Sequence, residues 1–126
     1  AEFTNYRKRV ERDQAQMQQT LTGGIVKRYL EIIDDLDRAL KNRPQEGEGA
    51  IWANGIELID RKLINILESN GVTRMPVNEM FDPNLHEAIT SEDSDQHQSG
   101  EIIEVVQQGY LMGDRVLRPA LVRVAR

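Results

Sequence analysis

The sequence predicts an α+β fold, in which long paired helices and a dimeric four-helix bundle are followed by a small C-terminal all-β domain. Two features of the pattern predict it. The hydrophobic period is helical before Gly71 and strand-like after it, and no proline interrupts the chain before Pro44. The third observation is composition. Apolar residues make up only 39% of the 126 residues, so we expect part of the apolar surface to be buried against another chain.

The first predicted helix runs from about residue 2 to residue 42. Helices of this length usually pair with a partner helix. The weak stretch is residues 11–24, which hold four Gln and two adjacent Gly, each Gly costing about 1 kcal/mol relative to Ala. Two interpretations stay open: a surface helix with a tolerated kink, or a marginal segment whose instability serves function. The apolar stripe of this helix recurs at helical steps and comprises Phe3, Tyr6, Val10, Met17 and Leu21.

Turn-forming residues at 44–49 separate this helix from a second one, predicted at about residues 51–70 with Gly71 as its C′ cap. Two helices joined by a short loop expose two apolar stripes, and pairing two such hairpins in a four-helix bundle hides both. The residues therefore predict a homodimer, with residues 1–71 as the dimerisation domain and residues 72–126 as a β-domain. The apolar face of the second helix comprises Ile56, Ile59, Leu63, Ile66 and Leu67.

The segment after this cap carries strand signals. Gly113 and Asp114 predict a two-residue hairpin turn of the Gly-X kind. Gly109 is expected to supply a positive φ, and residues 93–100 are polar enough to form a loop. We expect a small barrel or rolled sheet. Its strand candidates are residues 72–77, 101–108, 110–112, 116–117 and 120–125.

Composition and charge exclude several classes of protein. There is no Cys, which excludes disulfide frameworks and thiolate chemistry. The net charge is −5, and the basic cluster at residues 7–12 would spread over several faces of a helix, so nucleic acid is not expected as a partner. No apolar run approaches the roughly 18–20 residues of a membrane span, and no signal-peptide pattern opens the chain. We therefore expect no membrane partner and a cytosolic location.

Catalytic and metal-binding constellations are not predicted. His86 lacks a second His at metalloprotease spacing and is interpreted as structural, and His97 falls in the polar loop. The acids of residues 34–37 (DDLD) resemble a carboxylate cluster. Successive helical positions point in different directions, however, so we expect these acids to be solvated on the outer face near Arg38. The sequence therefore predicts no catalysis, metal or cofactor.

The second half of the chain resembles the signature of the GrpE family, the nucleotide exchange factors of the DnaK-type heat-shock chaperones. The resemblance rests on residues 81–89 (FDPNLHEAI), 109–110 (GY) and 114–124 (DRVLRPALVRV). The first half agrees at residues 5–9 (NYRKR), 37–40 (DRAL) and 55–58 (GIEL). The motifs occur in family order, so the resemblance covers essentially the whole chain.

The resemblance implies a homodimer with long paired helices, in which each subunit supplies two helices to a four-helix bundle and carries a wing-like β-domain. It implies a co-chaperone rather than an enzyme. The wing would be inserted against the nucleotide-binding domain of the chaperone and hold its cleft open, so that ADP leaves and ATP enters. Helix melting would throttle exchange during heat shock. A bacterial cytosol is favoured over a mitochondrial matrix, because no transit peptide is seen.

Partner-binding residues follow from the resemblance, position by position. Arg115 is expected to be a polar contact, because Arg can pair with a carboxylate through two hydrogen bonds. Gly55, inside the second helix, is expected to allow close approach of a bundle neighbour or of the chaperone. For Phe81 and Val124 a place in the core stays an alternative, and Pro83 is expected to shape the turn. The implied set is Arg7, Arg38, Gly55, Phe81, Pro83, His86, Ala88, Val106, Arg115 and Val124.

The rival hypothesis is a coiled-coil holdase or scaffold that binds unfolded clients by itself. It would explain dimeric helices, but it gives no reason for the C-terminal motif. Acceleration of nucleotide release from a DnaK-type chaperone distinguishes the two. An enzyme is the third hypothesis, which a turnover abolished by substitution of His86 would support.

Overall fold

The computed structural model describes residues 1–126, which form two compact units, Ala1–Glu31 and Ile32–Arg126. Two long helices come first in the chain and six strands follow, which confirms the predicted α+β class. The division at Gly71 stays a prediction about function, because the compact units divide the chain at residue 31. The elements are α1 (Glu2–Lys41), α2 (Gly47–Ser69), β1 (Val72–Arg74), β2 (His86–Glu92), β3 (Ile102–Gln107), β4 (Tyr110–Met112), β5 (Arg115–Arg118) and β6 (Ala120–Ala125).

The unit formed by residues 1–31 is helical from Glu2 onward, and its backbone stays helical through Gly23 and Gly24. The predicted apolar stripe lies at the surface: Phe3 is 78% exposed, and Met17 and Leu21 are also largely exposed. An amphipathic helix whose apolar face has no cover in its own chain is typical of one that packs against a partner.

A helical hairpin opens the unit formed by residues 32–126. The loop between α1 and α2 is held by Arg43, which donates hydrogen bonds to Glu57 and Asn54 of α2. Helix α2 begins at Gly47, four residues before the predicted start. It ends as predicted: Gly71 has a φ of +82° and donates its N–H to the Glu68 carbonyl at 3.0 Å.

The strands form two three-stranded sheets, ordered β1-β4-β5 and β2-β6-β3. Strand β6 is central in the second sheet and pairs parallel with β2 and antiparallel with β3. The β4–β5 hairpin turns at Gly113, whose φ is +60°, while no non-glycine residue has a positive φ. This confirms the predicted Gly-X turn. Strand β2 was missed, because its sequence HEAITSE is exposed along most of its length and shows no apolar alternation.

The β core is centred on β6. Val122 is fully buried, and Ala120, Val124 and Met75 are also buried. Partly buried side chains pack around them: Phe81, Leu85, Ile102, Val105, Leu111 and Val116. Because β2 and β3 both pair with this central strand, its packing determines where the loops that connect these strands lie on the surface.

The prediction of a positive φ at Gly109 is wrong. A Cβ at this position would lie 2.6 Å from the backbone nitrogen of Ala120 and 3.0 Å from the Met75 sulfur. The position excludes a side chain because β6 and Met75 approach the backbone closely, not because of its dihedral angle.

Candidate partner-binding surface

The motif at residues 81–89 forms a tight turn followed by β2. The Asp82 carbonyl accepts hydrogen bonds from the N–H groups of Leu85 and His86 at 3.0 and 2.8 Å. In return the Asp82 N–H donates to Nδ1 of His86 at 2.9 Å. The Asp82 carboxylate also accepts from the N–H of Asn84 at 2.9 Å. The sequence Asp-Pro-Asn-Leu-His therefore closes on itself as a turn with its polar groups satisfied.

The predicted residues of this motif divide between core and surface. His86 is 5% exposed and its ring lies 6.0 Å from that of Phe81, which agrees with the structural role expected for this histidine. Phe81 packs on the core and Val124 belongs to it. Pro83 and Ala88 are exposed. Among the predicted residues of this motif, Pro83 and Ala88 are therefore the ones at the surface, while the parts that Phe81, His86 and Val124 play in partner binding stay predictions.

Arg115 lies in the other sheet, directly after the Gly113–Asp114 turn, and is exposed. The hairpin carries it on a short two-residue turn that fixes the register of β4 and β5. The hairpin thus places Arg115 at the surface of the β region.

Arg38 and Val106 both line a groove of about 520 Å³ between the end of α1 and strand β3. Arg38 is exposed and pairs with Asp35 at 3.2 Å, which agrees with the expected solvation of that acid. Val106 is 43% exposed on β3, an edge strand of its sheet. The groove walls also include Lys41, Arg74, Glu104 and Gln108.

Arg7 and Gly55 lie on helices. Arg7 belongs to the unit of residues 1–31 and is exposed, with its guanidinium 3.8 Å from the Glu11 carboxylate. Gly55 lies on α2 and is exposed, and a Cβ built there would meet no atom within 4 Å. No close approach within this chain requires a glycine at position 55, so the expected approach of another chain stays a prediction.

A buried ion-pair cluster joins the β1-β4-β5 sheet to the helices, and the sequence analysis missed it. Arg118 donates to both carboxylate oxygens of Asp34 at 2.7 and 2.8 Å, and also to the Gln108 carbonyl. Arg74 donates to both oxygens of Asp37 at 3.0 and 2.9 Å. The expectation that these two acids are solvated is wrong, because arginines of the sheet pair with them and the Asp34 and Asp37 side chains are only 15% and 21% exposed. We call the set Asp34, Asp37, Asp60, Arg74, Tyr110 and Arg118 the junction cluster.

Tyr110 is close to both arginines of the junction cluster. The guanidinium carbons of Arg118 and Arg74 lie 5.3 and 5.9 Å from its ring centroid, within range of a cation–π interaction. The ring is fully buried and its hydroxyl has no hydrogen-bond partner. Burial raises the pKa of Tyr110, although the charges of the two arginines act in the opposite direction.

Asp60 of α2 is the third acid of the junction cluster and the least well paired. Its carboxylate lies 4.0 Å from Arg74, and its Oδ1 is buried without a hydrogen bond. Burial and the neighbouring charge of Asp37 raise the pKa of Asp60, against the attraction of Arg74. Two acids therefore compete for one guanidinium.

A sequence signal for the junction cluster exists. Asp34 and Asp37 are three residues apart, a spacing that puts both on one face of a helix, whereas Asp35 points elsewhere. The arginines that meet them follow 37 and 84 residues later, and that distance in sequence hides the pairing.

Other classes of site find little support in these residues. No group of three or more His, Asp or Glu side chains is arranged to hold a metal ion. Neither helix combines the length and the apolar character that crossing a bilayer requires. Exposed apolar side chains on α2, among them Trp52 and Ile59, accompany exposed turns on the β region. Such surfaces are features of a protein that binds other proteins.

Comparison with known proteins identifies the family. The GrpE family model matches residues 1–126. The chain is 37% identical to protein GrpE of Desulfatibacillum aliphaticivorans, with all of this chain and 62% of the relative aligned. It is 40% identical to protein GrpE of Afipia carboxidovorans and of Caldanaerobacter subterraneus subsp. tengcongensis, where all of this chain aligns with 66% and 61% of the relative. The chain belongs to the GrpE family. It spans roughly three-fifths to two-thirds of the length of these relatives.

Proposed function

We propose that this chain is a homodimeric co-chaperone, a nucleotide exchange factor for a DnaK-type chaperone of the bacterial cytoplasm, and that it catalyses no reaction of its own. Membership of the GrpE family over residues 1–126 is the observation that carries the proposal. The exposed Pro83 and Ala88 of residues 81–89 and the exposed Arg115 of the β4–β5 hairpin support it, because they offer side chains at the surface for contact with another protein.

Exchange by such a factor is a matter of differential binding. The chaperone's nucleotide-binding domain opens and closes, and a partner shifts that equilibrium only by the difference between its affinities for the two states. In our proposal Arg115, Pro83 and Ala88 contact the chaperone from the β region, and Arg38 and Val106 contact it at the groove. These contacts form with the open cleft and are lost when it closes, so ADP leaves.

The homodimer in this proposal covers the apolar faces of the helices. On α2 the side chains of Ile51, Trp52 and Leu58 are each more than 60% exposed in the single chain, and Ile59 and Ile66 are at least half exposed. Burial of such side chains stabilises an interface by about 25 cal/mol per Å² of apolar area. Two copies of the hairpin in a four-helix bundle would remove this surface from water.

A thermal response belongs to the same proposal. Residues 11–24 are exposed except at Thr22 and Gly23 and carry few apolar side chains, so their helix rests on marginal local propensity. We expect two thermal transitions, the first a reversible loss of helix in the N-terminal segment. Circular dichroism on the full chain and on a version starting at Ile25 tests this. One shared melting step at the same temperature in both would contradict it.

Release of a fluorescent ADP analogue from a DnaK-type chaperone tests the exchange activity. We expect the chain to accelerate release, and Arg115→Ala to weaken the acceleration while the dimer and its helicity stay intact. Lys62→Ala is the matched control, since Lys62 is an exposed cation of α2 outside the implied set.

Each outcome of that assay is informative. Unchanged release with the wild-type chain, combined with suppression of client aggregation by the chain alone, would favour the holdase over the exchange factor. Normal acceleration by folded Arg115→Ala would remove Arg115 from the contact surface. Sedimentation of both variants confirms that the dimer is retained.

A further inference from the structure

The β1-β4-β5 sheet follows the helices through one backbone connection, at Asn70 and Gly71. One connection of this kind fixes where a sheet begins, but a backbone joint can rotate. Orientation has to be fixed by contacts elsewhere. The junction cluster provides such contacts, because Arg74 on β1 and Arg118 on β5 reach Asp37 and Asp34 on α1.

The geometry of these contacts restrains rotation. A guanidinium that donates to both oxygens of one carboxylate defines a plane and a direction, unlike a lysine ammonium, which acts as a point charge. Arg118 forms such a two-bond pair and is held from a second side by the Gln108 carbonyl. Both arginines also contact the buried Tyr110 ring, at 5.9 and 5.3 Å from its centroid.

Stability alone does not account for this arrangement. Buried ion pairs contribute little net stability, since desolvation offsets their attraction, and apolar residues of similar volume often replace them without loss. The pairs of the junction cluster are mostly buried, with the Arg118 and Asp34 side chains 11% and 15% exposed. Such an ion pair fixes the direction in which its two side chains meet, and apolar packing does not.

We propose that Arg74 and Arg118 are positioning residues that hold the β1-β4-β5 sheet at one orientation on α1, so that Arg115 and Arg38 meet the chaperone as one rigid surface. Asp37 is the neighbour of Arg38 on α1, and Arg118 lies three residues after Arg115 on β5. The junction cluster therefore links the two contact regions directly. This inference rests on the proposed exchange function.

Paired spin labels test the orientation. The chain has no Cys, so cysteines placed at Lys62 on α2 and Asp114 in the β4–β5 turn can be labelled alone. Labelled chain is mixed with an excess of unlabelled chain, so that distances arise within one subunit. We expect a narrow distance distribution in the parent, a broad one in Arg118→Gln and an intermediate one in Arg118→Lys. Arg61→Gln is the control, an exposed arginine that pairs only within α2.

Nucleotide release from a DnaK-type chaperone, measured with unlabelled variants, is the second readout. We expect Arg118→Gln to reduce the acceleration at least about twofold, within the range for residues that modulate coupling. Asp34→Asn should have the same effect although it removes no arginine. Nucleotide release with the Arg118→Gln and Asp34→Asn double variant should be no slower than release with either single variant, because both substitutions break the same ion pair.

The outcomes separate this inference from the proposed function. If the wild-type chain does not accelerate release, the proposed function fails, and the positioning role fails with it. If the wild type does accelerate release, a narrow distribution or undiminished release in folded Arg118→Gln overturns the positioning role alone. An effect of Arg118→Gln that Asp34→Asn does not reproduce also overturns it, since it would indicate direct contact with the chaperone. Should Arg118→Gln fail to fold, Arg118→Lys carries the same comparison.

Discussion

Residues 1–31 and the strands β4 to β6 derive their order from different sources. In the N-terminal helix most side chains are exposed, and its one marked ion pair, Arg7 with Glu11 at 3.8 Å, is of a kind worth about 0.3–0.5 kcal/mol. In the strands, Tyr110 and Val122 are fully buried. Local hydrogen bonds support the first region, to which our proposal adds a partner helix, whereas tertiary burial stabilises the second. The same kind of substitution should therefore have different effects in the two regions.

The largest expected effect is in the β core. Val122→Ala removes two methyl groups from a side chain with no exposed surface. We expect a loss of about 2–3 kcal/mol in the unfolding free energy, from lost burial and the remaining cavity. Denaturant unfolding, followed by a probe in the β region, measures this loss. In thermal melts, the lower-temperature transition that we assign to the N-terminal helix should stay at the same temperature. A joint shift of both transitions would show that the two regions unfold as one unit.

Gly109→Ala tests the tertiary packing of the β region by adding a methyl group where there is no room for one. The new methyl would lie 2.6 Å from the Ala120 backbone nitrogen, so β6 or Met75 must move. Overpacking of this kind costs about 1–3 kcal/mol. Chemical denaturation compares this variant with the parent. A neutral result would mean that Met75 moves aside and that β6 tolerates the displacement.

Gly24→Ala is the matched change in the N-terminal helix, and its sign should be opposite. A Cβ there meets no atom within 4 Å in this chain, and Ala is favoured over Gly in a helix interior by about 1 kcal/mol. We expect the first thermal transition, followed by circular dichroism at 222 nm, to rise. A lower transition temperature would show that another chain approaches the helix closely at Gly24.

Asp60→Asn should have the smallest effect, and one that depends on pH. The raised pKa of Asp60 in the folded chain means that its charged form is disfavoured by folding. Stability is therefore lost as the pH rises through the folded pKa and regained as it falls. Asn avoids this cost, so the variant should be more stable than the parent near pH 8, with the difference shrinking toward pH 4. Melting temperatures across that range measure it, and a difference independent of pH would contradict the assignment.

Particular residues show how far the sequence predicts the fold. Gly71 and Gly113 were predicted correctly, because helix caps and tight turns are decided within a few residues of the chain. Gly109 was predicted to be special for the wrong reason, since its neighbours Ala120 and Met75 are distant in sequence. Strand β2 was missed because its partner β6 begins 34 residues later and its own side chains are exposed.

The candidate surface divides in the same way. The exposure of Pro83 and Arg115 follows from a local turn and a local hairpin, which the motifs at residues 81–89 and 114–124 specify, whereas Ala88 lies on β2, which pairs with the distant β6. The burial of His86, on β2, and of Val124, on β6, depends on the packing of strands that are distant in sequence. Pattern alone offers candidates for such a surface, but it does not separate those that face solvent from those that are buried.

The sequence by itself determined that two long helices precede the strands, the cap at Gly71 and the hairpin at Gly113, because short-range periodicity and turn chemistry govern each of them. Only the tertiary structure decided that Asp34 and Asp37 meet Arg118 and Arg74 rather than water. The pairing of charges far apart in sequence depends on which faces become buried together. That is a property of the packed chain, and the local pattern of residues does not contain it.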